Sequence, residues 1–413
     1  MVAVIVMAGS CSSNDKSAST ASTTAAVVPT TAPATVPTTV ASTDFYAPPN
    51  PLPAGRPGDI IRSEDLATPA SFPTGGTLSR ILYRSTNTQG DPIAVSGLLY
   101  RPGASAGVTG PRPIVAIAHP TSGLADACAP SVQIVPAGGG SARGDQLVSV
   151  LLPVVAAQLP QAVLVMTDYE GLGTPGDHPF VMGISEAHGV LDSIRAAQRF
   201  DGAGTSAKSP AVVWGHSQGG EAALVSADLA GTYAPDANVV GVAAGSPADP
   251  AHFGVALQAG PSKGYVLMAG AGLKAAYPSV DLSRLFTPAG LAGVDLAAHS
   301  CTETIAKYKD TDPATLFKGD ATTLEPFKDL LMENSPAAQR SVVPIFLYHG
   351  EADPLIPVQT SKVILDQYCH LGSTVLRKTY PGGDHFTVVL LALTDIEHYL
   401  ADRLAGSPAP SSC

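Results

Sequence analysis

The stretch "VVWGHSQGGE" (residues 212–221) sets a serine between two glycines directly behind a run of β-forming residues. Two readings compete: Ser217 is a nucleophile on a sharp strand-to-helix turn, or a polar residue in a glycine-rich loop. A single G-x-S-x-G is a weak signal in a chain with 41 glycines, so the surroundings decide. Upstream, Ala211–Trp214 reads as a strand; downstream, Ala222, Val225 and Leu229 fall on one helical face. That strand–turn–helix context is the one a nucleophile elbow needs. Gly215 and Gly219 then have a steric purpose, because side chains there would collide with the neighbouring strand and helix.

Working outward, short apolar runs recur at residues 93–100, 113–120, 162–168, 238–246, 342–350 and 374–382. They are continuously apolar rather than alternating, as parallel strands covered on both faces are. Helical stripes lie between and after them: Ile184, Ala187, Leu191 and Ile194, then Val389, Leu393, Ile396, Leu400 and Leu404, the latter ended by Gly406 and Pro408. Alternating strand and helix predicts an α/β fold with a mostly parallel sheet. No repeat is present. The interval from the strand near Val242 to the one near Ile345 far exceeds the roughly 30 residues of a βαβ crossover. Residues 250–340 are therefore expected to be an inserted, mainly helical cap dividing a core of 59–249 and 341–413. At the carboxyl edge of a parallel sheet, such a cap would overlie the place where these sheets bind ligands.

The chain is 45% hydrophobic, 14% charged and carries a net charge of −11. With no basic cluster interleaved with aromatics, nucleic acid is not expected as a partner. Residues 1–11 are an apolar stretch, "MVAVIVMAGS", followed by Cys11, similar to the end of a lipoprotein signal although the usual positive n-region is missing. The stretch falls short of the roughly 20 residues that span a bilayer. Export is the expectation, with attachment to a membrane through a lipid on Cys11. Residues 12–58 are mostly Ser, Thr, Ala and Pro and read as a disordered tether.

A serine hydroxyl needs a base, and the base needs an orienting group. On this architecture the order along the chain is Ser, Asp or Glu, His. His385, in "PGGDHF", is the last strand-end histidine before the final helix; His216, His349 and His370 are its competitors. For the acid, "HGEADPLIP" offers both Asp353 and Glu351, and Asp384 neighbours His385. The oxyanion donors expected are the backbone N–H of Gln218 and, from "AHPTSGLADACAPS", that of Thr121, with Ser122 next. No paired histidines on one helical face and no C-x-x-C occur, and "GLGTPG" (171–176) is not a dinucleotide loop, so neither metal nor cofactor is expected.

From about residue 110 onward the chain resembles the secretory lipase family of α/β-hydrolases. The resemblance is carried by G-H-S-Q-G together with "DYEG" (168–171), "SEAHGVLDSIRA" (185–196), "TYAPDANVVG" (232–241), "DPLIP" around Asp353 and "PGGDHFT" around His385. It implies an α/β-hydrolase fold and hydrolysis of carboxylic esters, acylglycerols among them, and it selects Asp353 over Glu351. It also implies two disulfides, Cys128 with Cys301 in the cap and Cys369 with Cys413, leaving Cys11 for lipid. One departure is visible: where a family member has an aspartate as oxyanion residue, this chain has "HPTS" (119–122). Acyl transfer and peptide hydrolysis use the same triad order and stay as alternatives, as does a non-catalytic binding protein. Oligomeric state is not legible.

Overall fold

A computed structural model describes residues 45–103, 110–134, 152–252 and 262–413. At its centre is a nine-stranded sheet in the order β1-β2-β3-β5-β4-β6-β7-β8-β9. The strands are β1 Ile60–Leu66, β2 Thr77–Thr86, β3 Pro92–Arg101, β4 Ile114–Ala118, β5 Val163–Thr167, β6 Ala211–His216, β7 Val239–Gly245, β8 Ile345–Gly350 and β9 Val375–Tyr380. β1, β2 and β3 pair antiparallel, and β3 is antiparallel to β5. Every pairing from β5 through β4, β6, β7 and β8 to β9 is parallel. The expected α/β-hydrolase architecture is present, with an antiparallel edge added. Its outer strands, "IIRSEDL" and "TLSRILYRST", intersperse charges and hydroxyls with apolar residues. They lack the continuous apolar run that marked the others.

The longer helices are α1 Gly183–Arg199, α2 Gln218–Leu229, α3 Lys263–Ala276, α4 Pro288–Ala298, α5 Phe327–Asn334, α6 Gln359–His370 and α7 Thr387–Leu404. The central strands are apolar throughout because helices cover both faces. In β6, Val213 joins a core with Leu191 and Ile194 of α1, Leu224 of α2 and Ile364 of α6. Val212 and Trp214 point the other way, into a core with Val389, Ile396 and Leu400 of α7. Each such fully buried side chain contributes about 1.5–3 kcal/mol.

Helices α3, α4 and α5 fall between β7 and β8 and, with Phe286 ahead of α4, build a third core from Leu267, Met268, Leu273, Val294 and Leu331. Phe180 and Met182, from the loop ahead of α1, belong to the same core. Gly272 permits this docking, because a Cβ there would overlap the backbone of Phe180. In the sheet order, β4 leads to β5 on one side while β6 leads to β7 on the other. The carboxyl ends of β4 and β6 therefore flank the switch point, where open α/β sheets hold ligands.

Cys11 and the rest of residues 1–44 lie outside the described residues. The tether expectation for 12–58 is corrected over 45–58. Phe45 and Tyr46 are buried against Leu82, the Arg80 guanidinium lies 5.3 and 5.2 Å from their ring centroids, and the Tyr46 and Ser131 hydroxyls hydrogen-bond at 3.0 Å. Two aromatic rings supply the apolar area that the preceding Ser/Thr/Ala/Pro run lacks, and a compositional reading averaged over the stretch misses them.

Candidate active site

Ser217 sits between the end of β6 and the first residue of α2, at φ 60° and ψ −120°. A non-glycine residue seldom adopts this conformation, and it persists only where its surroundings over-determine it. Here they do. The Ser217 N–H donates to Gly245 O at 2.9 Å, and its carbonyl accepts from Glu221 and Ala248, each at 3.1 Å. A Cβ on Gly215 would overlap the Gly219 carbonyl, and one on Gly219 the Ala118 carbonyl. The two glycines are thus steric requirements of the turn.

Ser217 Oγ lies 2.9 Å from His385 Nε2, and His385 Nδ1 lies 2.7 Å from Asp353 Oδ2. Asp353 Oδ1 accepts the N–H groups of Leu355 and Ile356, both at 2.9 Å. Burial opposes the Asp353 charge, but hydrogen bonds from His349, His385 and the backbone outweigh it and hold the carboxyl far below the usual range. The competing candidates have other places. Glu351 is exposed and accepts the Thr379 hydroxyl at 2.7 Å. Asp384 accepts the N–H groups of Phe386 and Thr387 at 2.9 and 2.7 Å, shaping the turn into α7. His370 is exposed at the end of α6. His349 donates from Nε2 to Ile356 O at 2.9 Å, steadying the loop that carries Asp353. His216 donates from Nε2 to the His385 carbonyl at 2.7 Å, leaving Nδ1 as acceptor toward Tyr348 Oη at 3.4 Å. Burial and the neighbouring His385 push its pKa down to about 3, so it is neutral.

Ser217 and His385 open into a cavity of about 960 Å³, its mouth included. Helix α3 supplies Tyr265, Val266, Ala269 and Leu273 to its wall; Leu285, Phe286 and Leu331 follow from the same insertion, and Phe180 and Val181 close it from the core. The surface is overwhelmingly apolar, suited to a hydrocarbon group. Thr121 and Gln218 belong to the lining with Ser217, whereas Ser122 is buried with its hydroxyl unpartnered and is not part of it. As the first residue of α2, Gln218 has no intrahelical acceptor for its N–H, and the helix dipole adds positive character there.

Cys128 is bonded to Cys301, and Cys369 to Cys413. The first bridge ties the segment after β4 to the insertion, where Leu124 N–H also donates to Ser300 O at 2.9 Å. Gly123, at φ 130°, passes so close to the bridge that a Cβ would strike Cys301 and the Cys128 sulfur.

Residues 147–412 match the secretory lipase family. The chain belongs to that family. Membership makes it a hydrolase of the lipase type on an α/β-hydrolase fold. It is 27% identical over 377 residues to a probable inactive lipase of Mycobacterium tuberculosis, covering 88% of this chain and 82% of that protein. It is 24% identical over 388 residues to a secreted triacylglycerol lipase of Malassezia globosa, covering 89% and 80%. Among solved structures, Candida antarctica lipase A in its closed state superposes with a TM-score of 0.76 at 22% identity, covering 88% of this chain and 86% of that one. Away from the site, secretory-lipase motifs in this chain meet as scaffold. Arg195 pairs with Asp192 at 2.9 Å and with Asp236, and Tyr233 donates to Asp192 at 2.7 Å.

Sequence reasoning missed the wall made by Phe180 and Val181 and the buried polar groups His178 and Glu186 behind Gln218. The signal for the last two was present: a histidine and a glutamate in the otherwise apolar surroundings of "DHPFVMGISEA" (177–187).

Proposed function

We propose that this protein hydrolyses carboxylic esters, acylglycerols among them, through an acyl-enzyme on Ser217. The observation that carries the reading is the hydrogen-bonded series Ser217–His385–Asp353 at the mouth of an apolar cavity. Ser217 Oγ attacks the ester carbonyl while His385 Nε2 takes its proton. Asp353 holds the imidazole in the Nδ1–H tautomer and stabilises its charged form. The N–H groups of Gln218 and Thr121 receive the oxyanion. His385 then protonates the leaving alcohol, and water, deprotonated by the same imidazole, releases the acid.

Residues 250–340 serve as a cap whose apolar wall binds the acyl chain, each buried CH₂ contributing about 0.8 kcal/mol. The protein is exported, in keeping with its family, and a lipid on Cys11 anchors it to the cell envelope through a tether that ends before Phe45. Acyl transfer or peptide hydrolysis would use the same groups with another acceptor or substrate, and a binding-only role is raised by the name of the mycobacterial relative. The complete triad favours catalysis.

A fluorophosphonate probe should label Ser217, and Ser217→Ala should remove labelling and lower turnover by about 10⁶. On p-nitrophenyl esters, kcat/KM should rise from acetate to medium chains. Labelling that survives in the alanine variant, or a wild-type protein inert to every ester, would refute the reading.

A further inference from the structure

Behind the nucleophile, between α1 and α2, lies a polar cluster that the hydrolytic steps do not use. Glu186 of α1 is completely buried. Its Oε1 accepts two hydrogen bonds, from the Val181 backbone N–H at 2.9 Å and from the Gln218 side-chain amide at 2.8 Å. The second amide hydrogen of Gln218 goes to His178 Nε2 at 2.9 Å. His178 can accept there because its Nδ1–H donates to Glu170 O at 2.8 Å. Both partners of Glu186 belong to the cavity wall. Gln218 carries the expected oxyanion N–H. Val181 is a β-branched residue at φ 51°, a conformation that needs an external hold.

We propose that Glu186 is a positioning residue for the oxyanion half of the site, holding Gln218 and Val181 together through one carboxyl oxygen. This rests on the esterase reading above. With its side chain tied at two points, Gln218 cannot turn its backbone N–H away from the carbon that Ser217 attacks. With Val181 tied to the same oxygen, the wall facing that carbon moves with the donor.

Glu186 lies against a second buried acid, Glu221. Glu186 Oε2 and both oxygens of the buried Glu221 have no hydrogen-bond partner, so two charges there would be uncompensated. The ionisable groups acting on the pair are Tyr169 and His178 from the loop ahead of α1, and Asp249 beyond β7. Burial keeps His178 neutral, with a pKa near 3, and raises that of Tyr169 well above its ordinary value. Burial raises both Glu186 and Glu221 above the ordinary carboxylate range.

The test compares Glu186→Ala and Glu186→Gln with wild type on soluble p-nitrophenyl butyrate at pH 7, with calorimetry to check folding. Glu186→Ala should lower kcat about 10- to 100-fold while KM changes little, since a misplaced donor costs transition-state binding. Glu186→Gln keeps an acceptor for Val181 and Gln218, so it should recover most of kcat at pH 7. KM should stay near the wild-type value. Equal kcat in all three proteins, or a glutamine variant as impaired as the alanine variant, would overturn the proposal. If the alanine variant does not fold, Glu186→Leu, which fills the same space without an acceptor, takes its place in the comparison. Wild type inert to the ester would instead refute the esterase reading itself.

Discussion

His216, next to Ser217, shows how a residue can hold a site together without lining its cavity. His216 and His349 both flank the Ser217–His385–Asp353 series, and only geometry separates their duties. The His216 Nε2–H holds the carbonyl of His385, so it fixes the backbone from which the base projects. Trp214 Nε1–H donates to Tyr348 Oη at 3.1 Å, and Tyr348 faces His216 Nδ1, which sets the tautomer from one strand to the next. Replacing His216 with alanine leaves the His385 carbonyl without its donor in a buried place, costing about 1–3 kcal/mol of stability. Because the base is then less well aimed, kcat should fall more than KM rises. Denaturation and steady-state kinetics on the same preparation check both parts. A variant with wild-type kcat would show that the His385 backbone needs no such hold.

At the scale of elements, the segment after β4 that carries Thr121 is tied to the insertion as well as to the sheet. The chain leaves β4 at Ala118, passes Thr121 through Gly123 and is then stitched to the insertion by the Cys128–Cys301 bridge and the Leu124–Ser300 hydrogen bond. The insertion, in turn, supplies the cavity wall. Reducing this one link should therefore affect stability and the transition state together. Cys128→Ala/Cys301→Ala is expected to lose about 2–4 kcal/mol and to lower kcat/KM at temperatures where the fold persists. The Cys369–Cys413 bridge joins α6 to the chain terminus, away from the cavity lining, so removing it should cost stability alone. Urea titration of both double variants, with ester kinetics in the native baseline, separates these outcomes. Equal loss of activity in the two variants would contradict the assignment.

At the scale of the whole molecule, several ionisable side chains among the described residues are folded away from water. Burial raises Asp228 to about 8 and lifts Glu186 and Glu221 above the ordinary carboxylate range. The unfolded chain releases those protons near pH 4 while the folded chain keeps them, so stability falls as pH climbs from about 4 toward 8. Burial also depresses His119 to about 4 and His178 and His216 to about 3. The unfolded chain takes up protons at those histidines below about pH 6.5, so stability falls again on the acid side. Between pH 6.5 and 8 the raised carboxyls act without opposition from the histidines, and Tm should decline through that window. Calorimetry at intervals across it tests the sign. Asp228→Asn should flatten the decline, and a Tm that rises from pH 6.5 to 8 would contradict the account.

The same three scales separate what was legible in the chain from what was not. The sequence alone determined the elbow, because a serine forced to positive φ between a strand and a helix leaves room only for glycine at 215 and 219. It also determined the parallel centre of the sheet, because strands covered on both faces are apolar at every position. These are rules of sterics and solvation acting over a few residues. Composition and spacing left Glu351, Asp353 and Asp384 open as partners of His385 and the resemblance selected Asp353, while the tertiary structure supplied the contact at 2.7 Å. Glu351, Asp353 and Asp384 all sit at strand ends, and the direction of each side chain follows from loops whose contacts lie far away in the chain. Only the tertiary structure decided the fate of Phe45 and Tyr46, which find Leu82 and Arg80 as partners, and of Glu186, which a helical stripe cannot distinguish from a solvated charge. A buried carboxyl is recognisable only by what surrounds it, and those surroundings come from α1, α2 and the loop between β5 and α1, brought together by the fold of the sheet.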